Sequence, residues 1–256
     1  MEDERATTIQ PEDFVLALDA TRRPFRFAVS GPDAPLVSQS EHGEPAELVR
    51  QGVPKLDQYR RVVAFGAHPD DLEVGAGGLI ARLAASGATV TMVVASVPNR
   101  GTIRRAEATE GARRLGARLV LPEGEGESRV EGIPMHALVA RFENMITEAD
   151  LVIVHGAGDV HEDHAITHRA VLAALRRTPC DVLAYATRLP VGAAAPPPTC
   201  VVEVSVSIDA KVAAIAAHAS QFPPGFAETR RDVARVIGAT HGLPYAEAYE
   251  VLRITL

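Results

Sequence analysis

At 256 residues, with 46% hydrophobic and 23% charged side chains, the chain suits one large globular domain or one domain plus a small extension, and it is too apolar for a disordered protein. A formal net charge of −7 argues against a nucleic-acid binder. The two cysteines, Cys180 and Cys200, form no CxxC and no disulfide framework, which excludes a small secreted scaffold and suits a reducing compartment. Lysine occurs only at Lys55 and Lys211, so arginine carries nearly all the positive charge, a bias that weakens arginine clusters as signs of anion sites. No apolar run approaches the ~18 residues of a membrane span, and the opening MEDERATTIQPEDF is acidic where a signal peptide is basic and then apolar. The sequence therefore predicts a cytoplasmic protein without a membrane span.

Residues 1–60 are proline-rich and charged, with one strand-like piece at Phe25–Ser30 and a short helix expected around Glu44–Gln51. No role is assigned to this extension. From Arg61 an alternation begins. Arg61–Gly66 reads as a buried strand, Val74–Ser86 as a helix stopped by Gly87, Thr89–Ala95 as a strand, and Ile103–Leu115 as a helix closed by Gly116. Arg118–Leu121 is a short strand, and 122–132 an acidic, glycine-rich loop expected to be mobile. Pro134–Glu148 is helical, Leu151–His155 a buried strand, His164–Arg177 helical and Asp181–Thr187 a strand. A loop at Val191–Pro198, a strand at Val201–Ser207, and helices at Asp209–Ser220 and Ala227–Thr240 complete the pattern. Uniformly apolar strands separated by helices predict a Rossmann-like, doubly wound, mostly parallel α/β sheet over residues 61–256, behind an N-terminal extension.

Ligands of such sheets bind beyond the carboxyl ends of the strands. Two segments rich in titratable groups fall there: His68-Pro69-Asp70-Asp71-Leu72-Glu73 and Asp159-Val160-His161-Glu162-Asp163-His164. Two imidazoles and a carboxylate with an open fourth position make a hydrolytic zinc site. His68 and Asp71 reach one ion across the proline turn, so Asp70 points elsewhere and stands where a general base belongs. His161 and His164, spaced i,i+3, project to one side. One of them is a third ligand, the other a proton donor or oxyanion partner that Asp163 orients. Either segment alone also reads as a helix-start turn, because aspartate is a favoured N-cap.

Together these residues resemble the PIG-L/LmbE-type zinc-dependent N-deacetylases, which include GlcNAc-phosphatidylinositol, mycothiol, bacillithiol and glycopeptide-antibiotic sugar deacetylases. The resemblance runs from about Arg61 to the C-terminus. It takes in Arg104-Arg105-Ala106-Glu107 with Arg114-Leu115-Gly116, similar to RxxE…LG, His218-Ala219-Ser220-Gln221, similar to HxSQ, and the Tyr245–Tyr249 ending. It implies His68, Asp71 and His164 as zinc ligands, Asp70 as general base, His161 as general acid or oxyanion partner, Asp163 as its tuner, and Arg104 as a substrate-binding residue. Zn2+ is the implied cofactor, or another divalent metal such as Fe2+. Many members read AHPDDE, whereas Leu72 precedes Glu73 here, a DDxE form similar to the bacillithiol-type branch. The implied reaction removes an N-acetyl group from an amino sugar or amino-sugar conjugate, a small-molecule substrate.

An amidase of the same chemistry acting on a larger acyl group is the alternative, and a homo-oligomer is compatible with either. His155 is expected near the site; His168 is an alternative ligand or, more readily, lies behind the site or in solvent; and His218, in the apolar stretch AAIAAHAS, reads as a core or edge histidine that the HxSQ resemblance moves to the rim. The stretch Gly75-Ala76-Gly77-Gly78 invites a dinucleotide reading, but Ile80 occupies the third glycine position, and close packing of helix on sheet accounts better for it.

Overall fold

The computed structural model describes residues 56–124, 129–187 and 198–254, preceded by the backbone of four short strands. These are β1 (Phe14–Leu18), β2 (Pro24–Ala28), β3 (Leu36–Ser38) and β4 (Ala46–Leu48), joined antiparallel in that order as a separate sheet. The strand expected at Phe25–Ser30 overlaps β2. In place of the helix expected around residues 44–51, Ala46–Leu48 pairs with β3. A helix that short is marginal on its own, and the neighbouring strand offers backbone partners that it lacks.

The main sheet is built from β5 (Arg61–Gly66), β6 (Thr89–Val94), β7 (Arg118–Val120), β8 (Leu151–His155), β9 (Asp181–Tyr185), β10 (Cys200–Glu203) and β11 (Ala246–Arg253). Its order is β10-β11-β9-β8-β5-β6-β7, with β5 to β9 parallel and β10 and β11 antiparallel to their neighbours. The five parallel strands follow the order of a dinucleotide-type doubly wound sheet, as the sequence predicts. Strand β11 was not foreseen. It inserts between β9 and β10, and β10 stops at Glu203, short of the Ser207 expected.

Alternation along β5 divides the core. Val62 and Ala64 face one apolar cluster with Leu72, Leu79 and Ile80 of α1 (Asp71–Ala85). Val63 and Phe65 face another, with Phe142 of α3 (Met135–Ile146) and Val171 of α4 (Glu162–Ala174). Helices α2 (Gly101–Arg114), α5 (Ile208–Ala216) and α6 (Phe226–Ala239) complete the chain. Gly87 (φ 90°) and Gly116 (φ 71°) stand just beyond α1 and α2 in the left-handed region, as the sequence predicts for helix stops. The expected loop at 191–197 lies outside the described residues, as do 125–128 of the acidic loop. The end of that loop is anchored rather than free: Val130 is buried and the Glu131 amide donates to Asp163 Oδ1 at 3.3 Å. No helix among the described residues is long and apolar enough to cross a membrane.

Close packing, not phosphate binding, explains the glycines of α1. A Cβ on Gly75 would stand 2.1 Å from Cδ2 of Tyr185, and one on Gly78 would meet Val204 at 2.8 Å. Between them, Glu247 of β11 accepts from the Gly78 and Leu79 amides at 2.9 and 2.8 Å, and Lys211 of α5 donates to the Val74 carbonyl at 2.8 Å. Lys211 and Glu247 also pair with each other, both buried. Gly75→Ala is expected to destabilise the fold by roughly 1–3 kcal/mol through overpacking, read as a lower urea midpoint, with wild-type stability contradicting the packing.

Candidate metal and catalytic site

Strands β5 and β8 run side by side, but α1 covers one face of the sheet and α4 the other. The loops leaving the two strands therefore part, and the crevice between them lies at the point where the winding reverses. The HPDD turn follows β5 and the HEDH turn follows β8, so the topology brings both segments to one place.

Asp71 opens α1 and is only 6% exposed. Its Oδ1 lies 3.3 Å from His164 Nε2, while its Oδ2 accepts from the His68 amide at 2.8 Å and lies 3.7 Å from His68 Nδ1. One donor atom each from His68, Asp71 and His164 falls within 4.8 Å of the others. Ligands ~2.0–2.1 Å from a tetrahedral ion stand ~3.3 Å apart, so this spacing and this donor set fit a divalent metal. Each imidazole is held from outside. Asp163 Oδ2 takes His68 Nε2 at 2.7 Å, and Asp159 Oδ2 takes His164 Nδ1 at 2.7 Å. Such carboxylates fix the tautomer and aim the other ring nitrogen at the metal. Thr187 steadies Asp159 in turn, at 3.2 Å.

His155 stacks on His164 with ring centroids 4.0 Å apart. Its Nε2 faces the Ala67 amide at 3.0 Å, the Tyr185 hydroxyl at 3.1 Å and Asp71 Oδ2 at 3.3 Å. His155, Asp159 and His164 form a second group of close donors, but His164 Nδ1 and Asp159 Oδ2 are bonded to each other, and His155 is not among the residues that line the cavity. His168 is buried behind them, its Nδ1 on the His155 carbonyl at 2.7 Å.

Asp70 precedes the helix with φ 100°, a left-handed conformation that costs of order 1–3 kcal/mol for a non-glycine residue. The turn sends the two adjacent carboxylates apart: Asp71 to the histidines, Asp70 to Arg104 at 3.2 Å. Arg104 is itself clamped by the Pro69 and Pro98 carbonyls, each at 2.9 Å. Burial, then the charge of Asp71, pushes Asp70 up to about 8 against the pull of Arg104. Behind the turn, Glu73 meets His218 at 3.1 Å, and Glu107 accepts from the amide and hydroxyl of Ser220 at 2.7 and 2.6 Å. His218 is fully buried, as its apolar stretch suggests, and not at the rim to which the HxSQ resemblance moved it; Gln221 and Phe222 from the same segment line the cavity instead.

His161 caps α4, its Nδ1 accepting from the Asp163 amide at 3.2 Å. That bond leaves the hydrogen on Nε2. Asp163 thus meets His161 through its backbone, while its carboxylate serves His68; the expected orientation of His161 by that carboxylate is corrected. The helical turn aims the Asp163 side chain across to β5. His68, Asp70, Asp71, Arg104, His161 and His164 all line one cavity of about 730 Å³. Sequence reasoning missed the role of Asp159, although a carboxylate five residues ahead of a candidate ligand histidine was the available signal.

A family model described as GlcNAc-PI de-N-acetylase (PIG-L) matches residues 63–175. A protein of Escherichia coli strain K12, described as the uncharacterized deacetylase YaiS, is 28% identical over 137 residues, 49% of this chain and 73% of that one. Among solved structures, the N,N'-diacetylchitobiose deacetylase of Pyrococcus horikoshii superimposes with a TM-score of 0.62 at 20% identity, over 77% of this chain and 85% of that one. GalB, the 4-carboxy-2-hydroxymuconate hydratase of Pseudomonas putida KT2440, gives 0.65 at 22%, over 77% and 98%. These two share the fold with this chain.

Burial alone would lower His164, but its bonds to Asp159 and Asp71 hold its pKa up at about 10. A metal binds only the neutral ring. Loading at pH 7.5 is therefore expected to release at least about one proton per ion, and affinity should rise with pH until His164 is neutral. Calorimetry with Zn2+ in two buffers of different ionisation enthalpy measures this. Asp159→Asn should reduce the release and weaken the metal by ~10–100-fold; no proton release would contradict the assignment.

Proposed function

We propose that this chain, whose residues 63–175 match the PIG-L family model of GlcNAc-PI de-N-acetylases, is a metal-dependent hydrolase that removes an N-acetyl group from an amino sugar or amino-sugar conjugate in the cytoplasm. Residues 61–256 are its catalytic unit and 1–60 an extension to it. One observation carries the reading. A three-donor metal set shares its cavity with two further groups, Asp70 and His161, that a purely structural ion does not need. The fold by itself is neutral on the reaction, since a hydratase has it too. The family and the donor set favour acyl transfer to water.

His68, Asp71 and His164 hold the ion, Zn2+ or another divalent metal such as Fe2+. When bound, it supplies Lewis acidity that polarises the acyl carbonyl and makes water acidic enough to attack at neutral pH. Asp70, fixed by Arg104 and turned away from the ion's ligands, takes the proton of the attacking water in its ionised form, which the charge of a bound cation beside Asp71 would favour. His161 offers its Nε2 hydrogen to the oxyanion that develops on the carbonyl. As the C–N bond breaks, the proton on Asp70 passes to the departing amine, leaving the carboxylate product and the free amino sugar. Arg104 does two things here: it orients Asp70, and it presents the buried wall against which the sugar packs.

Asp70→Asn is expected to lower kcat by ~10²–10⁴-fold with metal content unchanged. His161→Ala should cost ~10²–10³-fold, whereas His164→Ala loses metal and activity together. Amine release from N-acetylglucosamine derivatives and elemental analysis of the same samples check all three. Full turnover in Asp70→Asn would remove the base assignment.

A further inference from the structure

A second cavity of about 290 Å³ lies beside the first, and Val74 and Arg230 line both. Its wall is largely apolar, with Ala184, Tyr185, Val233, Ile237 and Ala248 among its residues, and Val160 at its edge is 73% exposed. Three of its charged residues are already engaged: Lys211 and Glu247 pair with each other, and Asp159 holds His164. Glu250 adds a carboxylate to this wall, so any attraction for anions is local to Arg230.

Arg230 differs from the arginines around it. Arg231 pairs with Asp209 and Glu228, and Arg235 with Asp232. Among the described residues, Arg230 makes no ion pair, and its Nε is buried without an acceptor. Burial pulls it below the ordinary arginine value, opposed only by the charge of Glu247, which Lys211 already neutralises. A half-buried guanidinium with no counter-charge presents its fork to the two cavities it lines, and that fork matches carboxylate and phosphate oxygens.

We propose that Arg230 recognises an anionic group, carboxylate or phosphate, carried by the substrate beyond its scissile amide, and that the second cavity receives the apolar group attached to that anion. This rests on the hydrolase reading for the word substrate, but the site can be tested without turnover. Calorimetry compares hexyl phosphate, hexanoate and hexanol on the protein as purified and again with EDTA, which removes metal–phosphate contacts. Both anions are expected to bind about tenfold or more tighter than hexanol, as for hydrogen bonds to a charged group. That preference should collapse in Arg230→Gln and largely persist in Arg230→Lys. Ile237→Trp, which fills the second cavity, should weaken all three ligands.

Equal affinity for hexanol and hexyl phosphate, or a preference that survives Arg230→Gln, would overturn the anion assignment. Undiminished binding in Ile237→Trp would overturn the placement of the apolar group. Anion-selective binding without amide hydrolysis would leave the subsite standing and remove the hydrolase reading. Hydrolysis of neutral N-acetyl sugars with no anion preference would do the reverse.

Discussion

A carboxylate almost sealed from water sets the terms for the rest of this site. Asp71 lies at the first turn of α1, against the end of β5, with three imidazoles around it. An ionised carboxylate buried alone is strongly unfavourable. Although burial would raise it, contacts with His155 and His164 hold Asp71 well below the usual carboxylate range. Its charge then acts outward. It helps keep His164 protonated while no cation is present, and it raises Asp70 next door. A divalent ion meets that charge directly, so metal binding and the protonation of the whole cluster are one linked equilibrium.

Holding two neighbouring carboxylates in opposite directions takes backbone strain, and several long-range contacts bear it. Arg104 ties Asp70 to the Pro69 and Pro98 carbonyls. Glu73 and His218 pack behind the turn, and Glu107 fastens the Ser220 segment to α2. Further along α1, Glu247 and Lys211 enter the helix backbone and pin it to β11 and α5. The stretches RxxE, HxSQ and the Tyr245–Tyr249 ending, which lie far apart in the chain, thus meet at the start and the middle of one helix. Their common task is to keep α1, and with it the HPDD turn, in a single position.

That rigidity bears on how one fold serves different reactions. The deacetylase and hydratase that share this architecture show that the sheet alone does not choose the chemistry. The choice falls to groups on the loops after β5 and β8 and to the walls of the cavities above them. Here the walls combine a stacked aromatic pair, Phe222 and Phe226 at 4.2 Å, with the half-buried Arg230 at the junction of two cavities.

The sequence by itself determined the parallel α/β core and the two segments that carry the chemistry. Apolar runs between amphipathic helices allow few other arrangements, and His68, Asp70, Asp71, His161 and His164 are close enough in sequence to act from single turns. Only the tertiary structure decided what each of these groups leans on. Asp163 is adjacent to His164 in the chain but serves His68 across the crevice, because the helical turn aims its side chain at β5. His218 likewise found its partner at a distance, 145 positions from Glu73. Strand β11 was hidden because it is placed by antiparallel pairing with β9 and β10, and it buries a charged residue, Glu247 against Lys211, where a strand pattern calls for an apolar one. Sequence periodicity reports which residues are buried; which charges they are buried with depends on loops that close only when the sheet is complete.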